Sequence, residues 1–585
     1  MKKQDLLIVG ILFALLLAWP YLVGKLFPSA PTKPEKAALA PQAVSNRPLE
    51  SGKSPPAEST STPVIVNVPE TPATPTPSKP ERRLVIANNE ATVTVSSWGG
   101  GIVAVELNNY RRSVARDSGP MVLDFSDFPA LAYAGLPGFS SKDNFNIEHG
   151  TGTSLRISKS TPKGLHLTRI LTFGTDYRLK IADTFQNKSQ QAIILHDHEL
   201  QIGPMRMAGK TRSMRLNYLG VDALPASGGE GVTYWAGKLI KLFKRDMKER
   251  GLSGAPEYIS KKVNLPVDWV AAKSKFFVQI MAPDGGASGY RVRAVRVLAP
   301  GERKDPSLAP KKAEIASASA TVQFSEKTLA PGESLTHVIH YYVGPKKYSI
   351  LKKLGLHQDE VMDFGWWKPV CKFLLMVLNF TYNLVPNYGV AIILLTILIR
   401  IIFWPLTHKS TESMKRMQEL QPLMKDIRAK YKDSPKKMQE ETMGLYRKHK
   451  VNPMSGCLPM IIQIPVFVAL FVVLRSAIEL RFAPFLWIHD LSEPERLLAG
   501  VLPIPLNILP IFMAVTMAWQ QKLMPTTDLN QQKIMLLFMP AMMLVMFYNM
   551  PSALVLYWST NQCIMIAQML IQKKRTAMKA VRSKQ

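Results

Sequence analysis

The sequence predicts a membrane protein with six transmembrane helices, a polar groove in a five-helix core, an external all-β sandwich and a cytoplasmic helical hairpin. Three observations predict this fold class. Long apolar runs occur near the N-terminus and through the last third of the 585-residue chain. The region between them shows the two-residue alternation of β-strands. The loops between the apolar runs differ in Lys and Arg content, which predicts the side of the membrane on which each loop lies.

The first 80 residues predict an anchor followed by a tether. Residues 1–27 place Lys2 and Lys3 before an apolar run of about 18 residues, which is near the length needed to cross the hydrocarbon core. Pro31 directly follows the one small-residue stretch that a signal peptidase would cut, so an uncleaved anchor is favoured over a signal peptide. Residues 28–80 contain 13 of the 44 prolines and predict a disordered linker.

Residues 81–350 predict an external antiparallel β-sandwich. The stretches "ATVTV", "YRLKIADTF", "RVRAVRV" and "THVIHYYV" alternate or cluster β-branched and aromatic residues between Gly, Pro and Asn. One basic insertion, "TYWAGKLIKLFKRDMKERG", predicts a helix against the sandwich edge. In "LHDHEL", strand alternation puts His196 and His198 on one face, as a metal site would need. Two histidines without a third ligand favour a surface or structural role, so no metal site is predicted.

The C-terminal part predicts the membrane core. Residues 351–388 combine tryptophans, lysines and apolar residues, which is typical of an amphipathic helix lying in the membrane interface. Five spans follow, at 389–407, 453–478, 497–520, 533–549 and 552–572. The last two spans are so close in sequence that they predict a tight hairpin.

Loop charges predict the orientation of the spans. Residues 408–452 carry 12 Lys and Arg against 6 Asp and Glu, and the tail 573–585 carries 6 Lys and Arg with no acid. The loop 479–496 has two arginines against four acids. By the positive-inside rule both termini, the loop 521–532 and residues 408–452 are cytoplasmic, and the β-sandwich is outside.

Residues 408–452 also predict their own structure, a helical hairpin. In the first half, apolar residues recur every three or four positions: Met414, Met417, Leu420, Met424, Ile427 and Tyr431. Ser434 and Pro435 then mark the start of a second helix. The methionine-rich stripe either zips the two helices together or forms a docking surface for a partner, and the first interpretation is favoured.

Several classes of function lack the residues that they require. Cys371, Cys457 and Cys563 are far apart, which excludes a disulfide framework and a zinc spacing and predicts inert packing residues. Protease, hydrolase and nucleotide-binding motifs are absent, so we expect neither an enzyme nor a cofactor. The net charge of +30 lies partly beside apolar runs, so it does not indicate a nucleic-acid substrate.

The most informative single residue is Arg400, in "AIILLTILIRIIFWPL". It lies near the middle of the span 389–407, roughly 12 Å from the cytoplasmic end. Snorkelling toward the cytoplasm is unfavourable because the Cα–Cβ bond points toward the helix N-terminus, and a lipid-facing arginine costs about 2.5 to 3.5 kcal/mol. A wet, protein-lined groove is therefore predicted, and no intramembrane acid is available to pair with the charge.

Other spans supply polar groups for such a groove. Each of these residues alone is typical of an interhelical hydrogen bond, and together they predict a cavity that is polar inside and bordered by lipid. The predicted groove residues are Arg400, Thr396, Gln463, Thr516, Gln520, Tyr557, Trp558 and Asn561. Arginine stays protonated, so an ion pump or a proton relay is not indicated.

Five stretches of the C-terminal part carry a specific family pattern: "LIRIIFWPLTHKSTESMKRMQELQPLMKDI", "LYRKHKVNPMSGCLPMIIQIPVFVALFVVL", "ELRFAPFLWIHDLS", "QQKIMLLFMPAMM" and "PSALVLYWSTNQCIMIAQ". In these stretches the chain resembles the YidC family of bacterial membrane protein insertases, in its Gram-negative form. This resemblance implies location in the inner membrane, a periplasmic sandwich and a groove around Arg400 that is open to cytoplasm and lipid. Trp558 departs from the family, in which a second tyrosine often follows the residue matching Tyr557.

The resemblance also implies function and partners. It implies a non-enzymatic insertase and chaperone for nascent membrane proteins, acting alone or with the Sec translocon and its accessory subunits. The ribosome or the signal recognition particle would deliver substrates to the hairpin, and the basic tail would contact the ribosome or anionic membrane lipids. Two alternatives remain open from the residues alone, a small-molecule transporter and a membrane-anchored receptor with a ligand-binding sandwich.

Overall fold

A computed structural model describes residues 80–585 except 207–217, 227–230, 236–237, 240, 243–244, 246–256, 299–313, 450, 452–457, 500, 502–504, 524–528 and 583–585. The chain divides into two units, Met1–Pro80 and Glu81–Gln585, and the second is the one described below. The predicted anchor and linker, Cys457 and most of the basic insertion lie outside the described residues.

The N-terminal part of this unit consists of antiparallel strands, as the alternating sequence predicts. The strands are β1 Arg83–Ala87, β2 Ala91–Ser96, β3 Ile102–Arg111, β4 Pro120–Asp124, β5 Tyr133–Ala134, β6 Asn146–His149, β7 Ser154–Ser160, β8 Leu165–Phe173, β9 Arg178–Asn187, β10 Ile193–Leu195, β11 His198–Arg206, β12 Gly220–Pro225, β13 Thr233–Tyr234, β14 Tyr258–Val263, β15 Val267–Lys273, β16 Phe277–Pro283, β17 Gly289–Arg296, β18 Ile315–Phe324, β19 Lys327–Leu329 and β20 Ser334–Pro345.

These strands form a sandwich. A nine-stranded sheet in the order β13-β12-β15-β16-β20-β9-β8-β7-β6 faces a five-stranded sheet in the order β14-β17-β18-β11-β5, because β15 packs on β18 and β11 packs on β16. A four-stranded sheet, β1-β2-β3-β4, and the pair β10-β19 complete the domain. Buried and exposed residues alternate along β9, so its apolar face lies in the core and its polar face outside.

One buried ion pair joins the neighbouring strands β8 and β9 inside the sandwich core. Arg169 donates from Nε and Nη2 to the two carboxylate oxygens of Asp183, at 2.7 and 2.6 Å, and Tyr133 donates to the same carboxylate at 2.5 Å. Two backbone carbonyls accept from Nη1 of Arg169. Every polar group at this point is thereby satisfied, which offsets the cost of burying two charges.

The two histidines of "LHDHEL" do not share a face, and the expectation from strand alternation is wrong. Strand β10 ends at Leu195 and β11 begins at His198, so His196 lies in the link between them. His196 is exposed and 2.9 Å from Glu326, whereas His198 is buried and its ring stacks on Phe324.

The C-terminal part is helical. The helices are α1 Tyr348–Leu351, α2 Lys368–Leu384, α3 Tyr388–Glu419, α4 Gln421–Lys430, α5 Pro435–Lys448, α6 Leu458–Leu474, α7 Ile508–Leu523, α8 Leu529–Phe547 and α9 Ser552–Arg582, with 3₁₀ turns at Lys352–Leu354, Gln358–Met362, Gly365–Trp367 and Ile478–Leu480. Within the described residues, Tyr388–Pro405 and Ser552–Gln572 have the length and composition of membrane spans, and Gln463–Leu474 and Leu536–Phe547 are shorter apolar stretches. Helix α7 begins at Ile508 and not at residue 497, because Leu497 pairs with Leu506 in an isolated β-bridge.

Helix α2 has apolar residues on two faces. One face, including Leu374 and Leu378, is buried against the helical core. The opposite face exposes a row of large side chains: Phe373, Met376, Phe380 and Leu384. A helix that is packed on protein along one side and apolar on its free side is suited to the membrane interface.

Helices α4 and α5 form a hairpin. Leu420 and Met424 pack against Tyr446 and Val451, and the Tyr446 hydroxyl lies 3.2 Å from the Met424 sulfur. Leu420 and Met424 of the methionine-rich stripe thus contact the second helix, as the zipper interpretation predicts for these two positions. The packing interpretation of the cysteines fits Cys371, which is buried, and is wrong for Cys563, which is exposed on α9.

Candidate functional site

The candidate site lies between α3 and α9, where Arg400 faces the helical core. Helix α3 is apolar on all sides around this residue, and Arg400 is only 6% exposed. Its Nε donates to the side-chain oxygen of Asn561 at 2.6 Å, and its Nη2 lies 3.4 Å from the Asn561 carbonyl oxygen. The sequence predicted an unpartnered charge, whereas the structure supplies a neutral amide partner.

The structure brings two more predicted residues to this point. Tyr557 lies one turn before Asn561 on α9 and is fully buried. Its hydroxyl interacts with Gln463 of α6 and lies in the field of the Arg400 charge. Three helices therefore contribute to one polar cluster, defined by Arg400, Gln463, Tyr557 and Asn561. No ion pair to Arg400 occurs among the described residues, so the cluster has a net positive charge.

A second polar group forms on the other side of α9 around a residue that was not predicted, Gln562. With its amide nitrogen directed toward acceptors, Gln562 donates to Thr516 Oγ1 at 2.8 Å and to the Met513 carbonyl at 3.0 Å. Its oxygen then accepts from Nε1 of Trp558 at 2.9 Å. This orientation satisfies every polar atom of the side chain, as burial requires.

The remaining predicted residues lie outside these two groups. Thr396 is fully buried, and its hydroxyl donates to the Ile392 carbonyl one turn earlier at 2.7 Å. Gln520 lies 2.8 Å from the sulfur of Met565. Thr396 therefore has a local structural contact, and Gln520 contacts α9 near the C-terminal end of α7.

The signal that could have found Gln562 was present in the sequence. It is a polar residue in an otherwise apolar span, one helical turn after Trp558, and it directly follows Asn561. Helical periodicity places Asn561 and Gln562 about 100° apart on α9, so they serve different neighbours. Periodicity gives this separation, but it does not say which of the two faces α3.

The helical core is bordered by apolar side chains that no other part of the described chain covers. Phe512, Val515 and Trp519 on α7 and Leu537 and Val545 on α8 are exposed. Charged residues are scarce on these surfaces, so they are suited to contact with lipid. The polar cluster and the lipid-facing surfaces thus lie on the same small bundle of helices.

Comparisons with known proteins match each half of the chain to a protein family. Residues 83–377 match the family described as YidC periplasmic domain, and residues 380–579 match the family described as 60Kd inner membrane protein. A Membrane protein insertase YidC of Pelobacter propionicus is 34% identical over 83% of this chain and 85% of its own length. One of Syntrophus aciditrophicus is 33% identical over 97% of this chain and 98% of its own length.

A solved structure described as an active YidC insertase, with the first transmembrane domain resolved, is also similar. It has a TM-score of 0.34 and 20% identity, over 84% of this chain and 92% of that chain. The sequence relatives cover both the β-sandwich and the helical region at identities above 30%. This chain therefore belongs to the YidC family of membrane protein insertases, with a periplasmic β-sandwich domain and a membrane helical region.

Proposed function

We propose that this chain inserts membrane proteins into the bacterial inner membrane and assists their folding, without an enzymatic step, a metal or a cofactor. The observation that carries the proposal is the buried, positively charged cluster in a bundle whose outer surfaces are apolar. Its relatives, which align along most of the chain, bear the name membrane protein insertase. A small-molecule transporter would typically need titratable intramembrane groups, and the cluster offers an arginine with neutral partners.

The proposed mechanism starts from the charge of Arg400. Asn561 orients the guanidinium without neutralising it, and Nη1 of Arg400 has no hydrogen-bond partner within the described residues. A carboxylate near this group would gain far more Coulomb energy than in water, because the surroundings are of low polarity. An acidic extramembrane tail of a nascent protein would thus be attracted into the bundle, and Tyr557 and Gln463 would replace part of its hydration.

The hydrophobic segment of the substrate takes a different path. The exposed apolar residues of α6, α7 and α8 offer a surface along which such a segment reaches lipid, and its burial there is favourable at about 25 cal/mol per Å². The two paths are complementary. The charge of Arg400 offsets the cost of removing the polar tail from water, while the apolar segment enters the bilayer.

We place the chain in the membrane with six spans and both termini in the cytoplasm. The α4–α5 hairpin is then cytoplasmic, in accordance with the excess of Lys and Arg in residues 408–452, and the β-sandwich is periplasmic. Proposed partners are nascent membrane proteins, the Sec translocon and its accessory subunits, the ribosome or signal recognition particle, and membrane lipids. Their contacts would be found by photocrosslinking from the hairpin and from positions 400, 463 and 557 to a stalled nascent chain.

The test of the mechanism compares Arg400→Ala and Arg400→Lys. Purified variants in proteoliposomes receive a single-span substrate with an acidic tail, and insertion is measured by protease protection of that tail. We expect Arg400→Ala to lower insertion about tenfold, the equivalent of roughly 1.4 kcal/mol, and Arg400→Lys to retain much of it. Arg416→Ala is the matched control, because Arg416 is an exposed arginine of α3 that pairs with Glu412. Equal insertion by wild type and Arg400→Ala would refute the electrostatic mechanism.

A further inference from the structure

A second charged pocket lies where the β-sandwich meets the helices, at the start of α3, roughly 18 Å along this helix from Arg400. Its volume is about 280 Å³. Three of its lining residues are cations, namely Arg111 at the end of β3, Lys347 just after β20 and Arg481 after the 3₁₀ turn Ile478–Leu480. Its single acid is Glu479. The walls are thus a mixture of opposite charges, with an excess of cations.

The two arginines are oriented by backbone carbonyls and form no salt bridge within the described residues, although the charge of Asp490 lies near Arg481. Arg481 donates from Nη1 to the Arg111 carbonyl at 2.7 Å, and Arg111 donates in return from Nη2 to the Phe482 carbonyl at 3.5 Å. The Arg481 guanidinium also lies 4.1 Å from the centre of the Phe482 ring. Burial lowers the pKa of Arg481 to about 10, so it remains charged at neutral pH. Backbone carbonyls hold both side chains in place and leave their charge available.

Lys347 and Glu479 are unpaired within the described part of the chain. No side-chain hydrogen bond or ion pair is formed by Lys347, and no ion pair by Glu479, although both line the same pocket. Burial raises the pKa of Glu479, and the nearby charge of Lys347 lowers it. Glu479 is half-buried, and a carboxylate that is partly removed from water without a cationic partner is costly, so a bound cation would stabilise its ionised form.

The surroundings place this pocket at the level of lipid headgroups. Tyr388, another lining residue, is the first residue of the span-like stretch Tyr388–Pro405, and its ring stacks on Tyr382 with centroids 3.9 Å apart. The neighbouring loop exposes Leu486 (74%) and Trp487. Aromatic residues that flank the end of a span are typical of the membrane–water interface, where headgroups are within reach.

We propose that this pocket binds the headgroup of a phospholipid in which a phosphodiester is joined to a primary ammonium, as in phosphatidylethanolamine. Lys347 and the two guanidinium groups bind the phosphate, and Glu479 accepts hydrogen bonds from the ammonium. The tyrosines and the exposed loop residues contact the acyl chains. A purely anionic headgroup would satisfy the three cations but leave Glu479 without a cation, which is the reason for choosing the zwitterion. In the membrane orientation proposed above, the lipid bound at this pocket belongs to the outer leaflet.

The test uses the full-length protein, purified in detergent, and native mass spectrometry with short-chain lipids. The probes are dihexanoyl phosphatidylethanolamine, dihexanoyl phosphatidylglycerol and inorganic phosphate. We expect wild type to bind the ethanolamine lipid at least fivefold more tightly than the glycerol lipid. Glu479→Gln should remove this preference by weakening only the ethanolamine lipid, whereas Lys347→Gln should weaken both lipids about fivefold. Inorganic phosphate should compete poorly, because it lacks the ammonium.

Matched controls separate the pocket from general surface charge. Lys353→Gln changes an exposed lysine near Lys347, and Glu326→Gln changes an exposed acid of the sandwich, so both should bind as wild type does. Lys347 is itself half-exposed, so Lys347→Gln keeps the test valid even if Glu479→Gln folds poorly. Unchanged binding by Lys347→Gln, a preference that persists in Glu479→Gln, or equal competition by phosphate would each overturn the proposal. The insertion assays with Arg400 variants test a different site, so failure here leaves the proposed function unaffected.

Discussion

The Nε of Arg400 donates to the side-chain oxygen of Asn561 at 2.6 Å, across the interface between α3 and α9. The pair joins a permanent charge to a neutral amide in the middle of an apolar bundle. The amide fixes the direction of the guanidinium, while the charge itself stays uncompensated. This arrangement differs from a salt bridge in its consequence, because a substrate carboxylate does not have to displace a resident one.

Asn561→Asp tests that distinction with a nearly isosteric change. The new carboxylate would pair with Arg400 and cancel its charge, so we expect insertion of acidic-tailed substrates to fall about tenfold although the arginine is retained. Protease protection in proteoliposomes measures the effect. Asn383→Asp, at an exposed position of α2, is the control and should insert normally. Full activity of Asn561→Asp beside an inactive Arg400→Ala would mean that Arg400 does not act through its net charge.

The ion pair of Arg169 with Asp183 should be the most sensitive polar contact of the sandwich. Asp183→Asn leaves the buried guanidinium without a counter-charge, and we expect a loss of about 3 to 5 kcal/mol in the free energy of unfolding. Chemical denaturation of the purified protein measures it. Asp176→Asn is the matched control, because Asp176 lies 3.9 Å from Arg178 at the surface and should contribute little. Similar losses for both variants would contradict this ranking.

His337 should make the sandwich less stable in acid. Burial, together with the nearby His198, lowers the pKa of His337 to about 4, whereas in the unfolded chain it titrates near its ordinary value of 6.5. Between these values the unfolded state binds more protons, so the contribution of neutral His337 is complete above pH 6.5 and is lost as the pH falls through about 4. After allowance for its partial exposure, the change is about 2 kcal/mol.

The comparison of His337→Phe with wild type isolates this effect. Phenylalanine suits the site because the His337 ring packs on Phe324, with centroids 4.3 Å apart. We expect thermal unfolding of His337→Phe to depend less on pH between 4 and 6.5 than that of wild type. His149→Phe, at an exposed position, should leave the pH dependence unchanged. The idea fails if wild type and His337→Phe have parallel stability profiles over this range.

Gly389 allows the loop after α6 to approach the start of α3. A Cβ atom at this position would collide with the ring of Phe485. We therefore expect Gly389→Ala to lower stability by about 1 to 3 kcal/mol, and the second change Phe485→Ala to make the effect of Gly389→Ala much smaller. Melting temperatures of the single and double variants measure this coupling.

Gly444→Ala is the contrasting variant. A Cβ atom at position 444 meets open space within α5, so this change should stabilise the helix by about 0.5 to 1 kcal/mol. Additive effects at 389 and 485 would rule out the contact as the cause.

The sequence was informative wherever one residue or one local period decides the structure. Alternation predicted the β-sandwich between residues 81 and 350, and the excess of apolar residues predicted the helical region that follows it. A charge in an apolar run identified Arg400 without any knowledge of its neighbours. The predicted start of α7 was too early because the segment before this helix forms a β-bridge between Leu497 and Leu506. The local sequence signals that mark helices do not reveal such a pairing.

The sequence by itself determined the order of the domains, the buried arginine and the helix faces on which polar residues lie, since these depend on composition and on the periods of 3.6 and 2. Only the tertiary structure decided how those faces meet. It paired Arg400 with Asn561, gave Thr516 and Trp558 a common partner in Gln562, and brought Arg111 and Lys347 from distant segments into one pocket with Glu479. The rotation of each helix about its axis and the docking of the sandwich depend on packing among residues far apart in sequence, and no local pattern contains that information.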